Sequence, residues 1–305
     1  MKKQNIKNII HTALKDKIAF GESKHNAKKE LDGFGKSTYK IYSYSTYNTY
    51  LKANLEYAKW LQENKNINKI NDLSVTEQYA SEYIQYRLDS GVSVYTAKME
   101  RSALAMLYSK QIEIDMPKRD NKNITRSRKS TENDKHISRN GKYKDVFTVA
   151  LATGGRRSDI QKLSINDFKE IDGNLYVTFI QSKGGRNRLA PVLEEYTQQV
   201  KDIMENVKLS GKTRLFEHIP KEIDVHSLRR EYAKNLYKNI TENKDLKDKY
   251  LFQYPERVEY KNNKEIKRNF YKDRDNNIYD RDNIYIVSQA LGHNRLDVSV
   301  THYLK

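Results

Sequence analysis

Between residues 117 and 144 the chain carries ten Lys or Arg, three Asp or Glu, many Ser, Thr and Asn, and few apolar side chains. Such a stretch cannot bury enough apolar surface to offset the entropy of ordering it. It reads as a basic linker, and it divides the chain into two parts that must each build a core. The full length of 305 residues suffices for two ordinary domains. The charge of the linker suits a segment lying along a DNA backbone.

Ahead of the linker the apolar residues recur at helical spacing. Ile6, Ile9, Ile10, Ala13 and Leu14 share one face of a helix over 3–18, and Gly21, Gly33 and Gly35 break the pattern. Tyr47, Leu51, Leu55, Ala58 and Leu61 form one stripe between 44 and about 64. Ser74-Val75-Thr76-Glu77 reads as a capping box that opens a helix carrying Ala80, Tyr83, Ile84 and Leu88 and stopped by Gly91. Ser93 caps a third helix with Ala97, Leu104, Leu107 and Tyr108. Residues 1–37 are thus expected to be a basic N-terminal helix or arm, and 38–116 a small all-helical domain. Nothing in either suggests catalysis.

After the linker the pattern changes. Residues 146–152 read as a buried helix. Leu175, Val177 and Phe179 alternate with Tyr176 and Thr178, as in a strand. Lys183-Gly184-Gly185 makes a turn, 188–192 returns as a second strand, and the rest is mainly helical. The expected fold class is mainly α with a small antiparallel β-sheet: a helical domain, then a mixed α/β domain over 145–305.

The chain has 57 Lys plus Arg against 40 Asp plus Glu, a formal net charge of +17. A polyanion is the natural partner for such an excess, because each neutralised phosphate releases a counterion. The absence of cysteine excludes a disulfide framework, a Cys-ligated zinc and a thiol nucleophile. No segment approaches the roughly 18 apolar residues of a membrane span, and the N-terminus does not read as a signal peptide. The expected location is the cytoplasm, in association with the nucleoid.

Five short pieces carry chemistry, in this order: Thr153-Gly154-Gly155-Arg156-Arg157-Ser158-Asp159, Ser182-Lys183-Gly184-Gly185-Arg186, His226-Ser227-Leu228-Arg229-Arg230, Leu291-Gly292-His293 and His302-Tyr303. Singly each is weak: a His and an Arg three apart share a helix face by chance often. As an ordered set they resemble the tyrosine recombinase (phage integrase) family. That family pairs a helical core-binding domain with a catalytic domain carrying an Arg after Thr-Gly, a Lys on a β-hairpin, a His-x-x-Arg, a Leu-Gly-His and a Tyr. The resemblance covers about residues 40–305.

The residue types fit phosphoryl transfer. Two guanidinium groups grip both non-bridging oxygens of a phosphodiester and stabilise the charge of a pentavalent transition state, which a planar fork does better than an ammonium. Arg156 and Arg229 are the candidates. The resemblance implies Tyr303 as the nucleophile that forms a 3′-phosphotyrosine, and Lys183 as the general acid for the departing 5′-hydroxyl. It also implies His226 as base or proton shuttle, His293 as a hydrogen-bond donor to the phosphate, and Asp159 as the group that orients His226. His302 reads as structural. The phosphodiester energy is held in the covalent intermediate, and no cofactor and no metal are expected: there is no Walker-type Gly-x-x-x-x-Gly-Lys-Ser/Thr, and the seven histidines offer no metal cluster. The implied partner is double-stranded DNA, as element ends and target site, bound by a homotetramer with accessory DNA-bending proteins. The implied function is a site-specific recombinase or integrase of a mobile genetic element. A type IB topoisomerase-like relaxing enzyme and a DNA-binding regulator that does not cut are the alternatives.

The sequence departs from the family pattern in places. Tyr303 follows His293 by ten residues, where nine is commoner. Gly155 stands where Leu or Met is usual and is expected to loosen the turn before Arg156. Arg229 and His293 lie 64 apart, which implies an insertion at about 243–282 in the form of a hairpin or loop. The chain ends two residues after Tyr303, so the insertion or the N-terminal helix is expected to supply the contact between protomers that a C-terminal tail makes in many relatives.

Overall fold

The computed structural model describes residues 3–31, 37–118, 137–182, 185–257, 260–261, 264–265, 269–293 and 295–304. Two compact units divide the chain, Met1–Ile124 and Thr125–Lys305.

In the first unit a minimal antiparallel pair, β1 (Gln4–Asn5) with β2 (Lys69–Ile70), pins the start of the chain. Helices α1 (Ile6–Lys15), α2 (Lys24–Lys29), α3 (Tyr44–Lys65), α4 (Ser74–Glu77), α5 (Ala80–Asp89) and α6 (Val94–Tyr108) make up the rest. The Asn5 side chain caps α1 by accepting from the Lys7 N–H at 2.9 Å. Ile6, Ile10 and Leu14 of α1 are wholly buried in the same cluster as Tyr57, Ala58, Leu61, Ile84 and Ala97. The first helix is therefore part of this core and not a separate arm, and its apolar face is engaged within its own unit. Full burial of an Ile or Leu side chain contributes about 1.5–3 kcal/mol, so three such residues hold α1 firmly.

Ser93 caps α6 as expected, accepting from the Thr96 N–H at 3.1 Å. The expected box at Ser74 does not form. Ser74 lies inside α4 and its N–H donates to Asp72 Oδ1 at 2.7 Å. The helix then breaks before α5. The Thr76 carbonyl at this break accepts from the Tyr57 hydroxyl at 2.5 Å, and Thr76 Oγ1 lies 2.9 Å from the Tyr108 hydroxyl. The Tyr57 phenol thus adds a second partner to a carbonyl at the break, which also accepts from the Tyr79 N–H at 3.1 Å.

The second unit opens with α7 (Lys144–Thr153), buried along all of 146–153, and the single turn α8 (Arg157–Ile160). A three-stranded antiparallel sheet follows in the order β3 (Phe168–Ile171), β4 (Asn174–Ser182), β5 (Arg186–Pro191). Its register pairs Val177 with Ala190 and Phe179 with Arg188, then shifts between Phe179 and Ser182. This irregularity, with Gln181 at φ 46°, lets Ser182 turn inward and become buried. Helix α9 (Thr197–Leu209) and the long α10 (Val225–Glu242) complete the core, with α7 packed along α10.

Residues 243–282, expected as an inserted hairpin or loop, begin with a helix. In α11 (Lys244–Phe252), Leu246 and Tyr250 are buried in the core of the unit, and Tyr250 packs edge-on against Tyr176 at 5.8 Å. Two short antiparallel pairs follow, β6 (Tyr260–Lys261) with β7 (Lys264–Glu265), and β8 (Phe270–Lys272) with β9 (Ile278–Asp280). Helix α12 (Arg281–Ala290), the turn α13 (Leu296–Ser299) and a π-helical turn, Val300–Leu304, end the described chain. Among the described residues no helix is long and apolar enough to cross a membrane.

Candidate active site

The turn between α7 and α8 aims Arg156. Gly154 ends α7 in the left-handed region at φ +59°, and a Cβ there would lie 2.2 Å from Tyr232 Cδ1. A Cβ on Gly155 would lie 2.6 Å from Ile160 Cγ1 and 3.0 Å from Phe179 Cε1. The two glycines therefore let the turn pack flat on Tyr232, Ile160 and Phe179. Gly155 is demanded by close packing, which corrects its reading as a loosening substitution. Arg156 leaves this turn in an extended conformation, its N–H donating to Asp159 Oδ2 at 3.2 Å. Its guanidinium donates to Ser182 Oγ at 2.8 Å and to the Leu291 carbonyl at 3.2 Å.

Arg229 lies in the first turns of α10 and is the largest fully buried side chain among the described residues. Its guanidinium donates to the carbonyls of Gly154 and Leu291, and its Nε lies 3.5 Å from the Tyr303 hydroxyl. The Leu291 carbonyl thus accepts from both Arg156 and Arg229 and ties the two guanidinium groups together. His293, just beyond it, lies with Nε2 at 3.5 Å from Arg229 and Nδ1 at 3.4 Å from Ser299 Oγ. Tyr303 sits on the π-turn and is 6% exposed. Its ring centroid is 5.0 Å from that of His293 and 5.5 Å from that of His226, and the Arg229 guanidinium lies 5.5 Å away. A π-turn holds one residue more than an α-turn, and so absorbs the ten-residue spacing from His293. His226 is exposed at the start of α10.

Of the residues singled out in the sequence, Arg156, Asp159, His226, Arg229, His293 and Tyr303 come together here. Lys183 and Gly184 lie outside the described residues, between the ends of β4 and β5.

Arg188 belongs to this group and was missed in the sequence. It stands opposite Phe179 on an inward position of β5, its guanidinium 3.9 Å from that ring. It donates to Asp159 Oδ2 at 3.0 Å and to the Ala290 carbonyl. The signal was available: an Arg on the inward-facing positions of a strand must be paired when buried. Asp159, expected to orient His226, accepts from Arg188, from Ser182 Oγ at 3.0 and 3.1 Å, and from the Arg156 N–H. Burial alone would raise its carboxyl, but the Arg188 bond and charge outweigh that and hold it below the ordinary range. Arg188 is drawn down to about 9, by burial first and then by the Arg229 charge, so it stays protonated at pH 7. The same cations act on His293. Burial, then Arg229, Arg156 and Arg188, push its imidazole down to about 3. It is therefore neutral at pH 7, with one ring nitrogen carrying a proton.

Three guanidinium groups, one carboxylate, a neutral imidazole and a phenol are thus fixed before any ligand arrives, largely by backbone carbonyls. Such a cluster is built to hold an anion next to a hydroxyl. No protein-family model matches the sequence, and no curated protein matches it. Among solved structures, the XerH site-specific recombinase bound to difH substrate in a pre-cleavage complex superposes with a TM-score of 0.53 at 18% identity, over 99% of this chain and 94% of that one. This chain has the XerH fold. XerH in a post-cleavage complex with palindromic difH substrate gives 0.52 at 17%, over 97% and 90%. The Tn1549 transposon integrase in complex with circular intermediate DNA overlaps less closely, with a TM-score of 0.42 at 14% identity, over 98% and 95%. The XerH fold is mainly helical with a small antiparallel sheet here, as the sequence pattern implied.

Proposed function

We propose that this chain is a site-specific DNA recombinase of the tyrosine recombinase type, serving the integration or excision of a mobile element. The observation that carries the reading is the meeting of Arg229, His226 and His293 around Tyr303, with Arg156 tied to Arg229 through the Leu291 carbonyl, on a fold that XerH uses while bound to its difH substrate.

Arg156 and Arg229 take the two non-bridging oxygens of the scissile phosphate. Their positive charge grows in value as the phosphorane gathers negative charge, and removal of either is expected to slow cleavage by about 10²–10³. His293, neutral, donates one N–H to the same oxygens. Tyr303 Oη attacks phosphorus and the bond to the 5′-oxygen breaks, leaving a 3′-phosphotyrosine. The phenol must give up its proton for the new P–O bond to form. His226, 5.5 Å from the Tyr303 ring, receives it. Lys183, which lies between β4 and β5 in the sequence, gives a proton to the departing 5′-oxygen. A second strand's 5′-hydroxyl then reverses the step and displaces the tyrosine. The partners are the duplex ends of the element and its target, held by four copies of the chain with DNA-bending proteins.

A nicked suicide substrate tests this. The protein, mixed with nicked duplex bearing the ends of its own element, is expected to give a DNA-linked species on a denaturing gel that vanishes in Tyr303→Phe. Intact binding without any covalent species would sink the reading and leave a regulator that does not cut.

A further inference from the structure

Arg157, the neighbour of Arg156, points away from the anion site. Its Nη1 donates to the carbonyls of Ile219 and Pro220 at 3.3 and 2.5 Å. Its Nη2 donates to the carbonyl of Lys221 at 3.2 Å and to that of Ile223. Four carbonyls within five residues converge on one guanidinium. Their dipoles repel one another, and only a fixed cation with several donors can gather them.

The segment so gathered leads directly into α10. Asp224, 2% exposed, follows it and caps the helix by accepting from the Ser227 N–H at 3.2 Å. His226 is the second residue of α10 and Arg229 the fifth. The direction in which the first turn of α10 leaves the 219–224 loop therefore sets where the exposed His226 imidazole stands. Arg229 has further anchors in the Gly154 and Leu291 carbonyls. On the other side, Arg157 is joined by one peptide bond to Arg156.

Resting on the recombinase reading, we propose that Arg157 is a positioning residue. By clamping the 219–223 carbonyls it fixes the His226 end of α10 against the Arg156 turn, so that proton acceptor and phosphate clamp are set in one geometry. It touches neither DNA nor the reacting atoms. A misplacement of about 1 Å in such a group costs roughly a hundredfold in rate.

The test compares wild type, Tyr303→Phe, Arg157→Ala and Arg157→Lys. The rate of covalent adduct formation on the nicked substrate is followed from pH 6 to 9, alongside DNA binding by gel shift. Arg157→Ala is expected to bind DNA as wild type does and to form adduct about a hundredfold more slowly, with a displaced pH profile and partial rescue by millimolar guanidinium ion. Arg157→Lys keeps the charge but cannot span four carbonyls, and falls about tenfold. An adduct rate and pH profile matching wild type in both variants overturns the proposal. If Arg157→Ala does not fold, Arg157→Lys decides alone. Hydrogen exchange read on the free proteins keeps the two readings apart. Amides over 225–229 must exchange faster in the variants, and unchanged exchange overturns the clamp even if wild type forms no adduct. Failure of the wild-type adduct with faster exchange in the variants leaves the clamp standing and sinks the recombinase reading.

Discussion

Replacement of Arg188 by Met will expose how the cluster is held. The side chains of Arg188 and Asp159 are 5% and 4% exposed and lie 3.0 Å apart. In Arg188→Met the aliphatic stem and the contact with Phe179 are largely kept, since a thioether packs well on an aromatic ring. The guanidinium is lost, and Asp159 is left buried without its main counter-charge. Breaking one side of a buried pair costs about 3–5 kcal/mol. The lower end applies here, because Ser182 Oγ and the Arg156 N–H still donate to the carboxylate. In a unit of roughly 180 residues, each kcal/mol moves the midpoint by about 2–4 °C, so melting should fall by roughly 6–12 °C. Asp159→Asn in the same chain removes the stranded charge and should restore more than half of that. The assay is thermal unfolding at pH 7 by circular dichroism for wild type, both single variants and the double. Melting of Arg188→Met within about 2 °C of wild type would refute the argument that this pair carries the charge balance of the site.

The remaining expectations concern pH, close packing and α11. Because His293 has its folded-state pKa depressed to about 3 against about 6.5 unfolded, its nuclear resonances should show no protonation step between pH 8 and 5. As pH falls below about 6.5 the unfolded chain binds a proton that the folded chain refuses, so stability declines. A His293 titration near 6.5 in the free protein would contradict this. Asp159 works over a lower window. Its depressed folded-state pKa contributes stability above about 3.9 that is lost as pH falls further, and Asp159→Asn should flatten that limb of the acid unfolding curve. Gly155→Ala drives a methyl into Ile160 and Phe179 and should lower stability by about 1–3 kcal/mol; denaturant unfolding with an unchanged midpoint would show that the turn can yield. Tyr250→Ala should cost about 3–5 kcal/mol as an emptied aromatic site, whereas a surface insertion would tolerate it.

Much of this was legible from residues 145 onward, because strand alternation at Leu175, Val177 and Phe179 and the glycine turn before Arg156 are local signals. The helical first unit was legible for the same reason, though not its boundaries. Ser74 followed by Glu77 has the letters of a capping box, yet Asp72 two residues earlier takes that part of the helix start and buried phenols support the break. Tertiary packing there outweighed a local preference. The N-terminal helix read as an arm because its charge is conspicuous, while the burial of Ile6, Ile10 and Leu14 depends on partners more than forty residues away. Residues 243–282 read as an inserted hairpin or loop for a similar reason: Leu246 and Tyr250 are sparse among charges, and only the fold gives them a site. Arg157 escaped notice because its partners are backbone carbonyls, which leave no pattern in the sequence around it, and the inward strand position of Arg188 is a signal that names no partner, since Asp159 lies 29 residues away.

The burial of Tyr303 has a practical side. Phenol-selective reagents such as nitrating agents read surface access, and the chain has 23 tyrosines. Among the described residues Tyr44 and Tyr95, 68% and 64% exposed, will be tagged early, and Tyr303 late. Peptide mapping of a lightly nitrated sample therefore turns the terminal π-turn into a reporter. Label appearing at Tyr303 measures how often that turn leaves its seat between His226 and His293, in the free protein and without any ligand.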